Sequence, residues 1–412
     1  MDVIVFEDDL VHQLYPLTIG RPAFAVSCGS YRLIDLVTRL GRPVEVVVRP
    51  HLKTITAADH PGVGVGPGAG KGPVLMVNAR LVPSVAALAE LQRLIQDGRR
   101  GAVRGSEHVA AALLGPDDPR PPSDADTHHW AAYFAHLALP AVEAELPLLA
   151  YPHDAVRHHM AILSQNLEDR VARAEYRQQA DGVFLAPGAT LGAYVVTDTA
   201  RGPIVVEANA TIGPYCYLSG PVHVGEAARV IEHSALKDAV SLGHTTKVGG
   251  EVEASTIEAY TNKQHHGFLG HSYLGSWVNL GAGTCNSDLK NTYGLVCMEY
   301  QGRKVATGMQ FLGCMIGDYA KTAINTSIFT GKTIGACSMI YGFVTTNVPS
   351  FVNYARLFGQ VSETPVEVMV ATQARMFKRR HVEQRPCDVQ LLHDMYELTR
   401  HERHMSNEPL SL

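Results

Sequence analysis

The hydrophobic pattern of the first part of the chain predicts short strands that alternate with helices. Apolar runs occupy residues 3–6, 44–48 and 73–78, and each has the length of a buried strand. Residues 84–97 and 154–176 carry apolar side chains at helical spacing. Because strands and helices that alternate form mostly parallel sheets, this part is predicted to be an α/β domain.

From about residue 181 the pattern changes to a period of six. The following sixth positions are all aliphatic: Val206, Ile212, Leu218, Val224, Val230, Leu236, Leu242, Val248 and Ala254. A period of six is neither that of a helix nor that of a strand, and it is typical of hexapeptide repeats that wind into a parallel β-helix. Each aliphatic side chain is expected to point into the coil, and a small residue after it, as at Gly213 and Gly249, lets the chain turn.

The repeat becomes irregular in its second half. Residues 255–268 break the count. Four later aliphatic positions are each 18 residues apart, the length of one coil of three hexads: Leu280, Met298, Ile316 and Ile334. The poor hexad pattern between Cys285 and Thr307 predicts an extruded loop. Because insertions in solenoids map to one face, we expect function near these interruptions.

After Pro349 the repeat ends, and residues 365–380 and 388–401 are predicted helices that could cap the open end of the stack. We therefore divide the chain into three parts: 1–178, 181–350 and 351–412. The basic cluster at residues 378–381 is most simply a solvated helix end. The alternative is a contact with an anionic ligand or with a neighbouring subunit.

Composition narrows the classes of protein. The chain of 412 residues has 46% hydrophobic and 18% charged residues, a net charge of −5 and a pI near 6.5. Real cores are therefore expected and nucleic-acid binding is not. No apolar run approaches the roughly 20 residues of a membrane span, and the acidic N-terminus does not look like an export signal. Seven scattered cysteines without a CxxC pair favour reduced thiols in the cytoplasm and predict no metal site.

The motif LGHSYLGSWVNLGAGTCNSDLKN, residues 269–291, carries a resemblance to a known family. Together with an α/β domain in front of a hexapeptide β-helix, it resembles the bifunctional enzymes that acetylate glucosamine-1-phosphate and then uridylylate it. The whole chain is also similar to a bacterial group of sugar nucleotidyltransferases, through phrases such as TGMQFLGCMIGDYAKTAINT and FEDD…LYPLTIGRP. The resemblance implies a nucleotidyltransferase-like front domain, a left-handed parallel β-helix and a short helical C-terminal tail.

The resemblance also implies roles for individual residues in the acyl-transfer motif. The family's catalytic base falls on His265, with His266 beside it, and the sugar-contacting tyrosine falls on Phe268, which lacks the hydroxyl. The remaining substrate contacts fall on Asn279, Asn286 and, across a gap, Lys290. A further lysine of the family is replaced by Ser255, and Lys321 is a candidate for contact with phosphate or coenzyme A.

The chemistry of acyl transfer to an amine suits this set of residues. A base removes the proton of the amine that attacks a thioester, and histidine has a pKa of about 6.5, near cellular pH. The ordinary alternative is that the histidines are surface residues, and His271 is a weaker candidate than the other two. Asn279 and Asn286 could equally be turn residues, and Lys321 could be merely solvated.

The front domain departs further from the family. Glu7, Asp8 and Asp9 stand where a glycine-rich phosphate loop is expected, and Ala79 or Arg80 stands at the metal-binding aspartate. Only the end of the nucleotide signature is matched, by Pro16-Leu17-Thr18 and by Arg21-Pro22, and Arg21 is a candidate substrate contact. Mg²⁺ is expected only if this domain is active, with the three N-terminal acids as substitute ligands.

Three functions are carried forward. The lead is a transferase that moves an acyl group from acetyl-CoA or another acyl-CoA to an amino sugar or its phosphate. The second is a sugar-1-phosphate nucleotidyltransferase that uses the front domain, and the third is a non-catalytic sugar-nucleotide sensor or scaffold. The resemblance implies a homotrimer with shared sites, small-molecule substrates or nucleotide sugars as partners, and neither nucleic acid nor membrane.

Overall fold

The computed structural model describes residues 1–404 apart from 69, 71, 106–107, 123–124 and 357–359. The front sheet has six strands: β1 (Asp2–Phe6), β2 (Val44–Val47), β3 (Gly64–Val65), β4 (Val74–Asn78), β5 (Gly101–Gly105) and β6 (His108–Leu114). Their order is β3-β2-β1-β4-β6-β5, in which the first four strands are mutually parallel and β6 is antiparallel to both of its neighbours. The predicted mostly parallel sheet is therefore confirmed.

Five helices accompany this sheet: α1 (Leu33–Val37), α2 (Lys53–Asp59), α3 (Val85–Asp97), α4 (Trp130–Leu137) and α5 (Pro152–Arg173). Helix α3 begins where the Ser84 hydroxyl accepts a bond from the Ala87 amide, and it ends at Gly98 in the left-handed conformation. Helix α5 leads out of the front part and covers β-helix strands, since Leu163 and Leu167 pack against Val205.

The β-helix is built from very short strands, which wind around three faces. In chain order the strands before the insertion are β7 (Arg177–Ala180), β8 (Val183–Leu185), β9 (Thr190–Leu191), β10 (Val196–Asp198), β11 (Ile204–Val206), β12 (Thr211–Ile212), β13 (Tyr217–Ser219), β14 (Val222–Val224), β15 (Arg229–Val230), β16 (Ala235–Lys237), β17 (Val240–Leu242), β18 (Lys247–Val248), β19 (Glu251–Glu253), β20 (Thr256–Ile257), β21 (Asn262–Lys263), β22 (Phe268–Gly270), β23 (Tyr273–Leu274) and β24 (Cys285–Asn286).

The later strands are an antiparallel hairpin, β25 (Cys297–Tyr300) and β26 (Arg303–Ala306), followed by β27 (Cys314–Ile316), β28 (Lys321–Thr322), β29 (Ser327–Ile328), β30 (Lys332–Ile334), β31 (Met339–Ile340), β32 (Phe343–Val344), β33 (Val352–Ala355) and β34 (Gln360–Glu363). Before the insertion, every third strand belongs to the same face. The first face contains β8, β11, β14, β17, β20, β23, β27 and β30. The second contains β9, β12, β15, β18, β21, β28, β31 and β33, and the third contains β10, β13, β16, β19, β22, β24, β29 and β32. Within each face the strands that belong to successive coils pair in parallel.

The inner stack confirms the hexad prediction as far as Val248. The eight residues from Val206 to Val248 in the sixfold series belong to one buried core. Ala254 was predicted to continue the series, and this is wrong. The coil shortens, so Val252 pairs with Leu236 and takes the inner position, whereas Ala254 is a corner residue with φ of 45°.

Glycines at the corners are required by close approach between coils. A Cβ atom on Gly213 would lie 2.5 Å from the Glu232 amide nitrogen, and one on Gly249 would lie 2.1 Å from the Gln264 carbonyl oxygen. Neither glycine is in the left-handed region. The left-handed conformation is instead taken by other corner residues, such as Tyr215 and Tyr260. At each corner, therefore, one residue makes the tight turn and a different residue is small enough to fit against the next coil.

The extruded loop is confirmed, and it carries the β25–β26 hairpin. Leu274 pairs directly with Ile316 across the insertion, so the coil resumes in register. Met298 lies 18 residues after Leu280, but it belongs to the extruded segment and lies in β25 instead of the inner stack. There it packs with Tyr273 and Met315 outside the first face.

The C-terminal helices are α6 (Val366–Arg379), α7 (Pro386–Leu398) and α8 (Arg400–His404). They share one hydrophobic core with the front domain and with corner residues of the β-helix. Phe377 packs on Trp277 at 4.5 Å between ring centres, and Gln373 donates to the Tyr319 hydroxyl at 3.1 Å. The helices therefore lie along the side of the stack, and its last coil is continued by the β33–β34 hairpin.

In the part of the chain that the structure describes, no helix has the length and apolar character needed to cross a membrane.

Candidate functional site

His265 and His266 lie in the turn between β21 and β22, at the corner between the second and third faces. Both are exposed. The carbonyl oxygen of His266 accepts a bond from the Gly283 amide at 3.0 Å, which ties this turn to the next coil. The turn thus presents two imidazoles to solvent, and its backbone is hydrogen-bonded to the coil that follows.

Lys263 fixes the same turn from inside the stack. It pairs with Val248 at an inner position, where the repeat normally places an aliphatic residue, and it is 1% exposed. Its ammonium group donates to three carbonyl oxygens, those of Gly249 at 2.6 Å, His265 at 3.0 Å and Gly267 at 2.5 Å. Burial lowers the pKa of Lys263 to about 8.

Sequence reasoning missed Lys263, since the interruption at residues 255–268 hides which positions face inward. Two of the three bonds of this inner lysine hold the turn that carries the histidines, and the third ties that turn to the corner of the preceding coil, so Lys263 is a positioning residue. It sets the backbone that carries His265 without reaching solvent itself.

Phe268 lies on the outer side of the third face, because its neighbour Leu269 is buried in the stack. Its amide donates to the Cys285 thiol at 3.4 Å. A Cβ atom on Gly270 would meet the Phe268 ring at 2.4 Å and the Asp288 carboxylate at 2.3 Å. An aromatic ring and a carboxylate therefore converge over this glycine.

His271 follows at the other end of β22, and it has a carboxylate partner, which neither exposed histidine has among the residues that the structure describes. Its Nδ1 lies 2.9 Å from Asp288 Oδ2, and the two side chains are 12% and 14% exposed. The Phe311 ring stacks on the imidazole at 5.4 Å between centres. Because an ionised carboxylate accepts only, Nδ1 carries the proton and Nε2 of neutral His271 is the basic atom. Sequence reasoning ranked this histidine last and missed Asp288, although the pair is separated by about one coil.

Asn286 is buried at an inner position of the third face, next to Ile328 of the following coil. Its side-chain oxygen accepts from the Gly270 amide at 2.9 Å, and its side-chain nitrogen donates to the Gly270 carbonyl at 3.0 Å. The amide group thus replaces a pair of backbone ladder bonds between β22 and β24. Its polar atoms are engaged in holding the coil.

Asn279 and Lys321 lie on the second face, in register with Asn262. Asn279 is exposed, and its side-chain oxygen accepts from Asn262 at 3.3 Å. Lys321 donates to the Tyr319 carbonyl at 3.0 Å, and burial lowers its pKa to about 8. Both predicted contacts are thus on a different face from Phe268 and Asn286.

The remaining motif positions have local partners. Lys290 lies in the insertion and donates to the Leu295 carbonyl at 3.2 Å. Ser255, which replaces the family's lysine, is fully buried and bonds to the Glu253 carbonyl at 2.7 Å. On the third face, Lys237 is paired with Glu251 at 2.6 Å and lies 3.5 Å from Glu253. A phosphate at that place would meet a cation that is already neutralised.

The structure therefore brings the predicted residues into two groups at opposite ends of β22. The strand has three residues, which span about 10 Å at 3.3 Å per residue. Because of that distance, the 265–266 turn and the His271–Asp288 pair would not contact the same reacting atom.

Arg21 does not point into an open nucleotide site. Its guanidinium group lies 3.1 Å from Glu258 and donates to Ser276 at 2.9 Å, and it also pairs with Asp318. These partners belong to the β-helix, so the candidate substrate contact is engaged in joining the front domain to the stack. Asp318 and Glu258 are both buried.

The acids of the opening loop are also paired with buried arginines. Glu7 accepts from Arg49 through both carboxylate oxygens, at 3.0 and 3.1 Å. Asp8 accepts from Arg80 through both oxygens at 2.6 Å, and from the side-chain nitrogen of Asn78 at 2.8 Å. Arg80 also donates to the Leu149 carbonyl, so each of its three guanidinium nitrogens makes a hydrogen bond.

Asp8, Asp9 and His108 are a group of potential metal ligands among the described residues, with ligand atoms within 4.8 Å of one another. The donor set does not fit a catalytic magnesium ion, because the carboxylate of Asp8 already accepts three hydrogen bonds from Arg80 and Asn78. A divalent cation would also be repelled by the guanidinium group of Arg80. Of Ala79 and Arg80, the two residues offered at the position of the family's aspartate, Arg80 is the one that contacts Asp8.

Comparison with known proteins supports the resemblance. Residues 3–173 match a family model described as sugar nucleotidyl transferase. A bifunctional sugar-1-phosphate nucleotidylyltransferase/acetyltransferase of Sulfurisphaera tokodaii is 31% identical over 143 residues, which are 34% of this chain and 36% of the relative. The bifunctional protein GlmU of Ralstonia pickettii is 34% identical over 115 residues, 27% of this chain and 24% of the relative. The alignments thus span about a quarter to a third of these relatives.

Solved structures with a related arrangement have low overall similarity. The UDP-N-acetylglucosamine acyltransferase of Francisella novicida is 14% identical, covers 57% of this chain and 79% of its own, and has a TM-score of 0.36. The polySia-specific acetyltransferase NeuO has a TM-score of 0.24, with 14% identity, 45% coverage of this chain and 88% of its own. The β-helix is therefore assigned from the parallel register of its own strands.

Proposed function

We propose that this protein is a sugar-phosphate transferase of the bifunctional type, with acyl transfer to an amino sugar or its phosphate at the β-helix as its lead activity. The observation that carries the proposal is the pair of histidine sites at the two ends of β22, in the coil that opens the 269–291 motif. The relatives named as acetyltransferases support the same class of reaction.

The reaction needs one base and one acyl donor. The amine nitrogen of the acceptor attacks the thioester carbonyl of acetyl-CoA or another acyl-CoA, and the histidine takes the amine proton. The carbon–sulfur bond breaks, and coenzyme A leaves as a thiolate that takes up a proton to become the free thiol. We assign the base to the 265–266 turn, with His265 first, because it is exposed and held by Lys263. His271 with Asp288 is the second candidate, since its Nε2 is the better oriented base.

The residues that would contact the acceptor differ from those that the resemblance implies in two respects. Phe268 offers a ring face where a hydroxyl would contact the sugar. Lys237 is neutralised by two glutamates on the same face. These changes favour an acceptor that is held by stacking and whose phosphate, if present, lies elsewhere.

A homotrimer with sites shared between stacks belongs to this proposal. Exposed apolar side chains on the outer third face support it, among them Val196 and Phe343, which are 59% and 50% exposed. An open groove of about 420 Å³ runs beside Phe343 and Phe329 and would suit an apolar arm of the acyl donor. Lys321 and Lys290 are proposed contacts of the donor or acceptor, and a cytoplasmic location remains part of the proposal.

Nucleotidyl transfer in the front domain is the second candidate, and the family match over residues 3–173 favours it. The buried pair of Asp8 and Arg80 opposes a magnesium-dependent version. Release of pyrophosphate from a nucleoside triphosphate and a sugar 1-phosphate would support this activity. A full panel without release, at several magnesium concentrations, would leave the front domain as a binding or structural unit.

The lead function is tested by thiol release from acetyl-CoA with a panel of amino sugars and their 1- and 6-phosphates. Turnover with one acceptor is expected. No thiol release from any acceptor would overturn the lead. Ligand binding without turnover in both assays would favour a non-catalytic sensor or scaffold.

A further inference from the structure

A cluster of cations lies on the second face of the β-helix, away from the third face. Arg229 and Lys247 pair in register on adjacent strands, and Asn262 is the next residue in the same column. Neighbouring strands are about 4.8 Å apart, so two like charges face the same side at close range. Like charges directly opposite each other destabilise a sheet unless something offsets them.

The tail adds a third cation to this column. Arg380, at the end of α6, donates to the Asn262 side-chain oxygen at 2.6 Å. Arg379 is next to it and exposed. The basic cluster at 378–381 is thereby placed over the second face, which the sequence alone could not indicate.

No carboxylate offsets these charges among the residues that the structure describes. None of Arg229, Lys247 and Arg380 forms an ion pair within 4.0 Å there, although Lys247 and Arg380 are half-buried and Arg229 is exposed. The pKa of Lys247 is lowered by burial and then by Arg380, Arg229 and Arg379. The pKa of Arg380 is lowered by burial and then by Arg379.

The end of helix α6 explains only part of this cluster. Cations near a helix C-terminus are stabilised by the carbonyl groups of the last turn, which accounts for Lys378 and Arg379. Arg229 and Lys247 are on strands, where no such field acts. The helix end therefore does not explain why these two cations lie beside Arg380, whereas an anionic ligand bound to all three would stabilise them.

We propose that Arg229, Lys247 and Arg380 form a binding site for a phosphorylated small molecule, with Asn262 and Asn279 contacting its uncharged part. A ligand with at least two negative charges, such as a diphosphate ester, matches three unpaired cations. The Asn279 side-chain nitrogen is free for a hydroxyl or carbonyl group, since only its oxygen is engaged, by Asn262, in the described structure.

This site is close to the exposed histidines. Asn262 precedes His265 by three residues, so the two are within about 10 Å at 3.3 Å per residue. A ligand anchored by its phosphoryl groups on the second face can thus extend toward the corner at 264–267. Binding of a phosphorylated ligand here does not require acyl transfer, so the two activities are tested separately.

The experiment is isothermal titration of the full chain with pyrophosphate, and then with coenzyme A, dephospho-coenzyme A, a nucleoside-diphosphate sugar and a hexosamine 1-phosphate. We expect pyrophosphate and one of the organic ligands to bind, with affinity that falls as salt rises. Lys247→Gln, Arg229→Gln and Arg380→Gln should each weaken that affinity at least tenfold. Lys247→Arg should keep it, because the charge is preserved.

Arg201→Gln is the matched control, because Arg201 is an exposed arginine of the same β-helix that is already paired with Asp238. Circular dichroism and thermal melting show whether each variant is folded. The organic ligand whose affinity depends on Lys247 identifies the source of the phosphate.

Equal binding of pyrophosphate by wild type and by a folded Lys247→Gln/Arg380→Gln variant would overturn the proposal, as would no binding of any probe. A change of oligomeric state in these variants, with phosphate binding unaltered, would also overturn it and would assign the cluster to a subunit contact. Thiol release measured in parallel shows whether acyl transfer is retained in either case.

Discussion

At the scale of single residues, the two histidine sites make different predictions for catalysis. If the 265–266 turn supplies the base, His265→Gln or His266→Gln should lower kcat by about 10²–10⁴-fold, the usual contribution of a general base. KM should change little, because the imidazoles are exposed and hold no other group in the described structure. Steady-state thiol release measures both constants.

The matched comparison is His271→Gln with Asp288→Asn. If the base is in the 265–266 turn, the two variants should retain kcat to within a few-fold. A large loss in both of them, with His265→Gln and His266→Gln active, would instead move the base to the pair at the other end of β22.

Lys263 gives a prediction on stability against pH. Its pKa is about 8 in the folded chain, below the ordinary value of 10.5. Between these two values the unfolded chain holds the proton more often than the folded chain does. The free energy of unfolding contributed by Lys263 therefore rises with pH in that window, by at most about 3 kcal/mol at 1.36 kcal/mol per pKa unit.

The measurement is urea unfolding of wild type and Lys263→Met at several pH values from 7 to 11. The difference in free energy between the two proteins should rise in favour of the wild type from about pH 8 to 10.5. Lys290→Met is the control for loss of one lysine, because Lys290 lies in the insertion outside the stack. A difference that is flat or falls over this range would contradict the burial of a charged Lys263.

At the scale of elements, the corners of the coil depend on close contact between successive turns. Gly249→Ala places a Cβ atom 2.1 Å from the Gln264 carbonyl oxygen, beside the turn that holds the histidines. Because backbone has to shift, we expect a loss of about 1–3 kcal/mol in the free energy of unfolding, as for other overpacked sites. Denaturant unfolding followed by circular dichroism measures it.

Gly62→Ala is the matched control, because no atom lies within 4 Å of a Cβ atom there and its φ is not left-handed. It should be neutral within about 0.5 kcal/mol, as for other surface substitutions. Equal stability of the two variants would show that the coils are spaced more loosely than the structure indicates.

The same elements show what the sequence could and could not predict. Period six from Val206 to Val248 predicts the stack because each inner residue repeats a local rule. The rule fails at Ala254, where the coil shortens, and at Met298, where a spacing of 18 coincides with an inserted hairpin. Coil length is set by contacts between turns, which a count of residues cannot detect.

For the candidate site, too, the sequence predicts the local features and not the contacts between distant residues. The motif locates the coil and its two histidine turns, because glycines and apolar residues keep their spacing there. It does not show that Lys263 and Asn286 face inward, since their polarity suggests exposure. Nor does it show that Arg380 lies over Asn262, because that contact joins residues 118 apart in the chain.

At the scale of the whole molecule, one buried network couples the front domain to the β-helix. Arg21 contacts Glu258 and Asp318, and the Ser27 amide also donates to Glu258 at 3.0 Å. The burial of Asp318 raises its pKa, and the charge of Arg21 opposes that shift. With the shared hydrophobic core, this network leads us to expect that the two parts unfold as one cooperative unit.

Removal of Arg21 should therefore do more than weaken one contact. Arg21→Met leaves two carboxylates buried without their cation, and breaking a buried pair in this way costs about 3–5 kcal/mol. We expect thermal unfolding to split into two transitions, because the front domain loses its charged link to the stack while the stack keeps its separate inner core. Arg173→Gln, which removes an exposed pair with Asp169, should cost about 1 kcal/mol or less. A single transition at the wild-type temperature in Arg21→Met would show that the shared hydrophobic core alone couples the two parts.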